Sequence, residues 1–258
     1  MESQAVAESK SFAERLRAGE RLLAASVAVS PVVAEVLGQC GFDWLFIDAE
    51  TLPLTLPEIQ NMIRAADGTG TAAVVRLNND QEADIRQVLD MGAAGVIIPL
   101  VKTAEQTRRI VAAAKYPPLG ERGLAKGRAQ GYGTRTGHAI ERANIETAII
   151  VMVEEAQGLS NVEDIAAVDG LDGIFVGTGD LSLSLGCLDD PLHADMQAAF
   201  KRIGAAAIAN GVAVGGFPGS RELYDFCYQQ GFRFFLTDLD TGLLRSAALQ
   251  RVQEVSSW

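Results

Sequence analysis

The chain has 258 residues, 48% of them hydrophobic, and a formal net charge of −11. That length accommodates one α/β barrel, the apolar content supplies a large core, and the acidic balance disfavours a nucleic-acid backbone or an anionic membrane as the main partner. Cys40, Cys187 and Cys227 are too few and too dispersed for a disulfide scaffold or a metal-ligand set, and no apolar run reaches the roughly 20 residues of a membrane span.

In chain order, a helix is expected over residues 11–18, before a first strand in LLAASVAVS (22–30). PVVAEVLGQCG then reads as a helix with Pro31 at its start and Gly41 at its end. DWLFIDAE (43–50) is the second strand, and Leu56-Pro57 opens a helix to about Ala66, with a turn over 67–70. TAAVVRL (71–77) is the third strand, and Asn79 or Asp80 is positioned to cap a helix through Met91. GAAGVIIPLV (92–101) is the fourth strand, followed by a helix from Thr103 to Lys115.

Residues 116–141, rich in glycine, proline and arginine, break the rhythm and read as one long loop. Strand five follows at 147–153 and a helix at 161–168. GIFVG (173–177) is strand six, and a long helix covers 191–210. AVGGF (213–217) is strand seven, Ser220 caps a helix to Gln230, FRFFLTDL (232–239) is strand eight, and the last helix spans 240–255. Eight apolar runs alternating with helices favour a single closed (β/α)8 TIM barrel over a doubly wound sheet. No cationic signal region opens the sequence, so a cytoplasmic location is expected.

The strand ends carry the chemistry. Glu154 follows IIVMV and Asp180 follows GIFVGTG, so both carboxylates belong at the C-terminal mouth, where parallel barrels build their sites. Together they suit a divalent metal bound through hard oxygen ligands; otherwise Glu154 caps a helix and Asp180 orders a turn. Arg76 ends the apolar run VVR, where its burial demands an anionic partner. That partner is either a substrate carboxylate gripped by the planar fork, or Asp48 and Glu50 on strand two. The glycines around Asp180 either expose N–H groups to an oxyanion or serve the loop's backbone.

His138, in the long loop, is either an acid or base over the mouth or a solvated side chain, and His193 reads as surface or capping. There is no GxxxxGK[ST] loop, no GxGxxG fingerprint, and no nucleophile elbow around Ser182 or Ser184.

These stretches resemble the HpcH/HpaI family of metal-dependent class II 2-oxo-acid aldolases. The matching segments are GFDWLFIDAE, VVRLN, LDMGAAGVIIPLV, KYPPLGERG, VMVEEAQGLSNVEDI and GLDGIFVGTGDLSLSLG, between Gly41 and Gly186. PVVAEVLG and TDLDTGLLRSA also look familial. The resemblance implies a barrel whose swapped C-terminal helix organises homo-oligomers, dimers or hexamers. It implies Mg²⁺ or Mn²⁺ on Glu154 and Asp180, with a 2-oxo acid such as pyruvate and an aldehyde as substrates. Arg76 would contact the 2-oxo acid and stabilise enolate charge, and the Gly179–Asp180 backbone would lie beside its carboxylate. Asp90 would approach the neighbouring subunit's centre. Asp48 and Glu50 would stand behind the metal, and Arg122, in the loop 117–123, would shape the entrance.

One position departs from the family. A D-x-E-H-x-P pattern is matched by Asp48, Ala49, Glu50, Thr51, Leu52 and Pro53, so Thr51 stands where a histidine relays the proton of the aldol hydroxyl. Threonine can orient a water but is no base near pH 7. A related reading is therefore citrate formation from oxaloacetate and acetyl-CoA, as in siderophore-pathway relatives. A non-enzymatic 2-oxo-acid binding protein is a third.

Overall fold

The computed structural model describes residues 10–135, 137–188 and 190–258. Eight parallel strands close into a barrel in sequence order, with β8 returning to pair with β1. They are β1 (Leu22–Val27), β2 (Trp44–Asp48), β3 (Ala72–Arg76), β4 (Gly95–Ile98), β5 (Ala148–Val153), β6 (Gly173–Val176), β7 (Ala213–Gly216) and β8 (Phe234–Asp238). The single (β/α)8 barrel expected from the sequence is the observed fold.

Around it run α1 (Phe12–Arg17), α2 (Pro31–Gln39), α3 (Leu56–Gly68), α4 (Glu82–Asp90), α5 (Ala104–Ala114) and α6 (His138–Glu146). They are followed by α7 (Ala156–Ser160), α8 (Val162–Ala166), α9 (Thr178–Ser184), α10 (Ala194–Ala209), α11 (Arg221–Gln229) and α12 (Asp240–Val255). No helix of the described residues is long and apolar enough to cross a membrane.

Alternation along each strand explains both layers of the core. One set of positions (Leu45, Ile47, Val75, Val96, Val151, Val176) packs outward under the helices. The other set fills the barrel axis: Trp44 and Phe46 from β2, Val74 from β3, Ile150 and Met152 from β5. Trp44, Phe46, Phe175 and Phe234 form a continuous aromatic column, and Phe12 of α1 closes it from below, 5.4 Å from Trp44. Two residues further along these inward rows lie Asp48, Arg76 and Glu154. The period that packs the axis with hydrocarbon thus raises three charged groups into its top layer.

Four sequence expectations change. The long loop contains a 3-10 turn (Arg128–Gly133) and runs into the helix α6, which no inward apolar stripe announces because none of its described side chains is fully buried. The segment after strand six, read above as a loop around Asp180, forms α9 with Gly177 as its cap. The helix expected at 161–168 is α8, and an unexpected short helix, α7, precedes it and meets it at Asn161. The cap of α4 is Gln81, whose N–H donates to Asn79 Oδ1 (2.7 Å), so Asn79 makes the turn before the helix instead of capping it.

Candidate active site

β2 and β3 pair in register, Asp48 beside Arg76, and this adjacency builds the first half of the site. Arg76 donates from Nε to Asp48 Oδ1 (2.9 Å) and from Nη2 to Asp48 Oδ2 (2.8 Å), a fork on one carboxylate. Nη2 also donates to Thr51 Oγ1 (2.8 Å), and Nη1 stands 2.7 Å from Glu50 Oε2. The guanidinium lies over the Phe46 ring at 5.3 Å, so the aromatic column supports it from beneath. One Nη1 hydrogen has no partner among the described residues.

Asp48 also organises the turn that follows it. Its Oδ1 accepts from the N–H groups of Glu50 (3.2 Å) and Thr51 (3.3 Å), which folds both side chains back toward Arg76. Burial works to raise the Asp48 pKa, but the Arg76 hydrogen bond and charge, with Thr51, hold it below the usual carboxylate range. Burial likewise opposes the charge of Arg76, and Asp48, Glu50 and Glu154 reverse that effect. Glu50 is shifted upward by burial first; Arg76 opposes the shift, and repulsion from Asp48 and Asp180 adds to it.

β5 and β6 supply the second half. Glu154, one residue past β5, is 2% exposed. Leu100 donates its N–H to Glu154 Oε1 at 2.6 Å, and no other described donor reaches this carboxylate. Burial, then repulsion from Glu50 and Asp180, outweighs Leu100 and Arg76 and pushes Glu154 up to about 7. Asp180 is exposed in the first turn of α9, where negative charge is favoured by the helix dipole. That short helix, poor in strong helix formers, is held by tertiary contacts: Leu181 is buried, Thr178 Oγ1 donates to Phe217 O (3.1 Å), and Ser184 Oγ accepts from Ala156 N (2.9 Å).

The structure therefore gathers Asp48, Glu50, Thr51, Arg76, Glu154 and Asp180 at one mouth, with Gly179 beside Asp180. Among the described residues no three His, Cys, Asp or Glu side chains are arranged to hold an ion together. Glu154 and Asp180 nonetheless form a hard-oxygen pair whose mutual repulsion a divalent cation would relieve, which fits Mg²⁺ or Mn²⁺ with the remaining positions filled by water or substrate.

Arg122 and Asp90 lie elsewhere. Arg122 is buried, stacks on the Tyr116 ring at 4.6 Å and donates from Nη2 to Asp90 Oδ1 (2.6 Å). Asp90 is the last residue of α4, which has run back from the mouth toward the start of β4. Within one chain these two residues contact each other and not the strand-end cluster. Asp90 also lines an open groove of about 640 Å³ with Gln60, Gln87, Arg128 and Tyr132. His193 caps α10, and the side chain of His138 lies outside the described residues. One participant escaped the sequence reading, Leu100; Pro99-Leu100 after an apolar run carries no signal of a backbone donor.

A family model described as HpcH/HpaI aldolase/citrate lyase matches residues 24–247. A 2-dehydro-3,6-dideoxy-6-sulfogluconate aldolase from Pseudomonas putida is 37% identical over 223 residues, 86% of this chain and 87% of that protein. A solved HpcH/HpaI aldolase/citrate lyase family protein from Burkholderia cenocepacia J2315 superposes with a TM-score of 0.89 at 34% identity, covering 95% of this chain and 98% of that one. The solved citrate synthase SbnG superposes with a TM-score of 0.85 at 30% identity, covering 96% and 99%.

Proposed function

We propose a specific chemistry from one premise: the chain belongs to the HpcH/HpaI aldolase/citrate lyase family and is an enzyme. Its reaction is a divalent-metal-dependent carbon–carbon cleavage or formation between a 2-oxo acid such as pyruvate and an aldehyde. The observation that carries this reading is the convergence of Glu154 and Asp180 on a mouth whose single arginine is locked in place with one hydrogen to spare.

Mg²⁺ or Mn²⁺ held by Glu154 and Asp180 would supply Lewis-acid polarisation of the 2-oxo acid. Arg76 presents its remaining Nη1 hydrogen to the keto oxygen, where negative charge develops as the carbon–carbon bond breaks. Asp48 and Glu50 prevent the guanidinium from turning away. The N–H groups of Gly179 and Asp180, in the first turn of α9 and without helical partners, suit the substrate carboxylate. Thr51 accepts from Arg76 and its side chain also stabilises the Asp48 carboxylate, so its hydroxyl is tied into the Arg76–Asp48 pair beside the substrate position. It orients Arg76, and through it a water or the second substrate; it does not take a proton.

A second reading is favoured by Thr51 itself. Without imidazole at this position, the bound 2-oxo acid is better suited as the electrophile, as in condensing oxaloacetate with acetyl-CoA to form citrate. Incubating Mn²⁺-loaded protein with pyruvate plus small aldehydes, and separately with oxaloacetate plus acetyl-CoA, decides between them. A 4-hydroxy-2-oxo acid supports the aldolase, citrate alone supports the synthase, and no product from either pair refutes both.

A homo-oligomer completes the proposal. Of the 16 residues of α12 only Asp240 is buried, anchored by N–H groups of Ala28 and Val29, while Leu244, Leu249, Val252 and Val255 are exposed. Such a helix gains by packing on a second copy, and a neighbour seated on the Asp90 groove would bring that carboxylate to another centre. The molar mass in solution tests this; a monomer at micromolar concentration would refute it.

A further inference from the structure

Glu154 sits between two backbone features that come from the strands on either side of it. On one side, Leu100 adopts φ +55°, a region that L side chains rarely enter. Its side chain is 47% exposed, so burial of the leucine does not compel that conformation. What the conformation achieves is to aim the Leu100 N–H at Glu154 Oε1, 2.6 Å away. On the other side, Gly177 has φ −77°, which any residue adopts, so glycine is not required there for backbone freedom. It is required for space: a Cβ at Gly177 would lie 2.5 Å from Glu154 Oε2 and 2.7 Å from Glu154 Cβ.

From these two independent features we infer that Leu100 and Gly177 are positioning residues for Glu154, forming a slot that fixes the direction of its carboxylate and leaves Oε2 as the oxygen without a protein donor. The strained turn at Leu100 is retained because it makes the only hydrogen bond to a carboxylate that is otherwise isolated among the described residues. The slot deepens the metal reading above, since Glu154 is one of the two proposed ligands. A ligand oxygen held from both sides is presented to an ion without reorganisation.

The test uses the full-length protein, Mn²⁺ as the probe and titration calorimetry without substrate. Gly177→Ala should weaken Mn²⁺ binding roughly 10- to 100-fold, as losses of ligand-orienting neighbours commonly do. Leu100→Gly keeps the N–H and relaxes the backbone, so its affinity should stay close to wild type. Gly68→Ala, where an added Cβ meets nothing within 4 Å, is the control. Amide NMR of the metal-free protein provides a second readout. The Leu100 amide proton should resonate well downfield in the wild type and move upfield in both Gly177→Ala and Glu154→Gln.

An unmoved Leu100 amide in Gly177→Ala overturns the slot, as does unchanged Mn²⁺ affinity in that variant. If wild type binds no Mn²⁺, the metal reading fails and the amide shifts alone decide the slot. Should Gly177→Ala not fold, it should fold in a Glu154→Gly background, where both Glu154 atoms are gone and only the flexible end of Met152, its Cε 3.2 Å away, must give; failure there also overturns the inference.

Discussion

At the N-terminal end of the barrel, Lys115, Asp172 and Arg17 meet in a charge cluster that satisfies itself. At the C-terminal end, Asp48, Glu50, Glu154 and Asp180 face the single Arg76. The lower Lys115 Nζ donates to the carbonyls of Asn144 (2.9 Å) and Thr147 (2.8 Å) and lies 3.6 Å from Asp172 Oδ2. Asp172 Oδ1 accepts from Arg17 Nη1 (2.6 Å) and its Oδ2 from Ile149 N (2.8 Å). Burial lowers the Lys115 pKa and Asp172 works against it. The cluster ties α1, α5 and the starts of β5 and β6 together beneath the aromatic column. The upper cluster instead sets four carboxylates against one guanidinium, and burial first, then repulsion among the carboxylates, raises the pKa values of Glu50 and Glu154. One end spends its buried charge on holding the barrel shut, and the other keeps charge in reserve for a cation and a substrate.

The sharpest way to break this comparison is at the lower end. Lys115→Met should cost about 3–5 kcal/mol of stability, the usual result of removing one partner of a buried pair. Urea unfolding measures it, and turnover per folded molecule should be unchanged. An activity loss matching that of the upper-end variants would mean the two ends are not separate in role.

Arg76→Ala should lower turnover by about 10²–10³-fold, the loss associated with one aligned donor to developing charge. Arg76→Lys should also be impaired, because an ammonium cannot reproduce the fork on Asp48. Steady-state kinetics of Mn²⁺-loaded protein checks both, and near-normal turnover in the two variants would make Arg76 a strut like Lys115.

Glu154→Gln separates stability from function at one residue. A carboxyl raised from 4.5 to about 7 binds its proton more tightly in the folded state. The metal-free protein is therefore most stable, from this group's standpoint, below pH 4.5, loses that advantage as pH rises to about 7, and carries the full cost above it. The cost is on the order of 3 kcal/mol at pH 8. Thermal unfolding of metal-free Glu154→Gln at pH 8 should occur above the wild-type Tm, while Mn²⁺ binding is lost. A lower Tm would indicate that the charge at this site is already balanced.

The smallest expected effect is at Thr51. Thr51→Val removes the acceptor from Arg76 Nη2 and should cost about 0.5–1.5 kcal/mol in stability. The pH dependence of kcat should keep its shape, since a threonine hydroxyl does not titrate near neutrality. A limb of the wild-type profile that disappears in Thr51→Val would contradict the assignment of Thr51 as a group that takes no proton.

Much of the site was legible because its charged residues interrupt apolar runs. Arg76 after VV and Glu154 after VMV are conspicuous where every neighbour is hydrocarbon, and a buried guanidinium there calls for a carboxylate. The internal partners proved to be Asp48 and Glu50 together, with Thr51 as a third acceptor. Arg122 was harder, since a loop arginine beside a Pro-Pro-Leu-Gly turn carries no indication of which way it faces; it turned inward to Tyr116 and Asp90. Leu100 left no trace at all, and nothing marked the role of Gly177, because their contributions come from a backbone N–H and a missing Cβ.

By itself, the sequence determined the barrel and the identity of the groups at its mouth. Strands buried on both faces must be continuously apolar, and a charge at the end of such a run has only the open rim to occupy. Tertiary structure alone decided which groups meet. Glu154 finds its donor 54 residues earlier, Arg76 finds Asp48 28 residues earlier, and α9 persists because Leu181, Thr178 and Ser184 are gripped by other elements. Such contacts depend on the register of neighbouring strands, a property of the closed sheet that no local pattern of residues encodes.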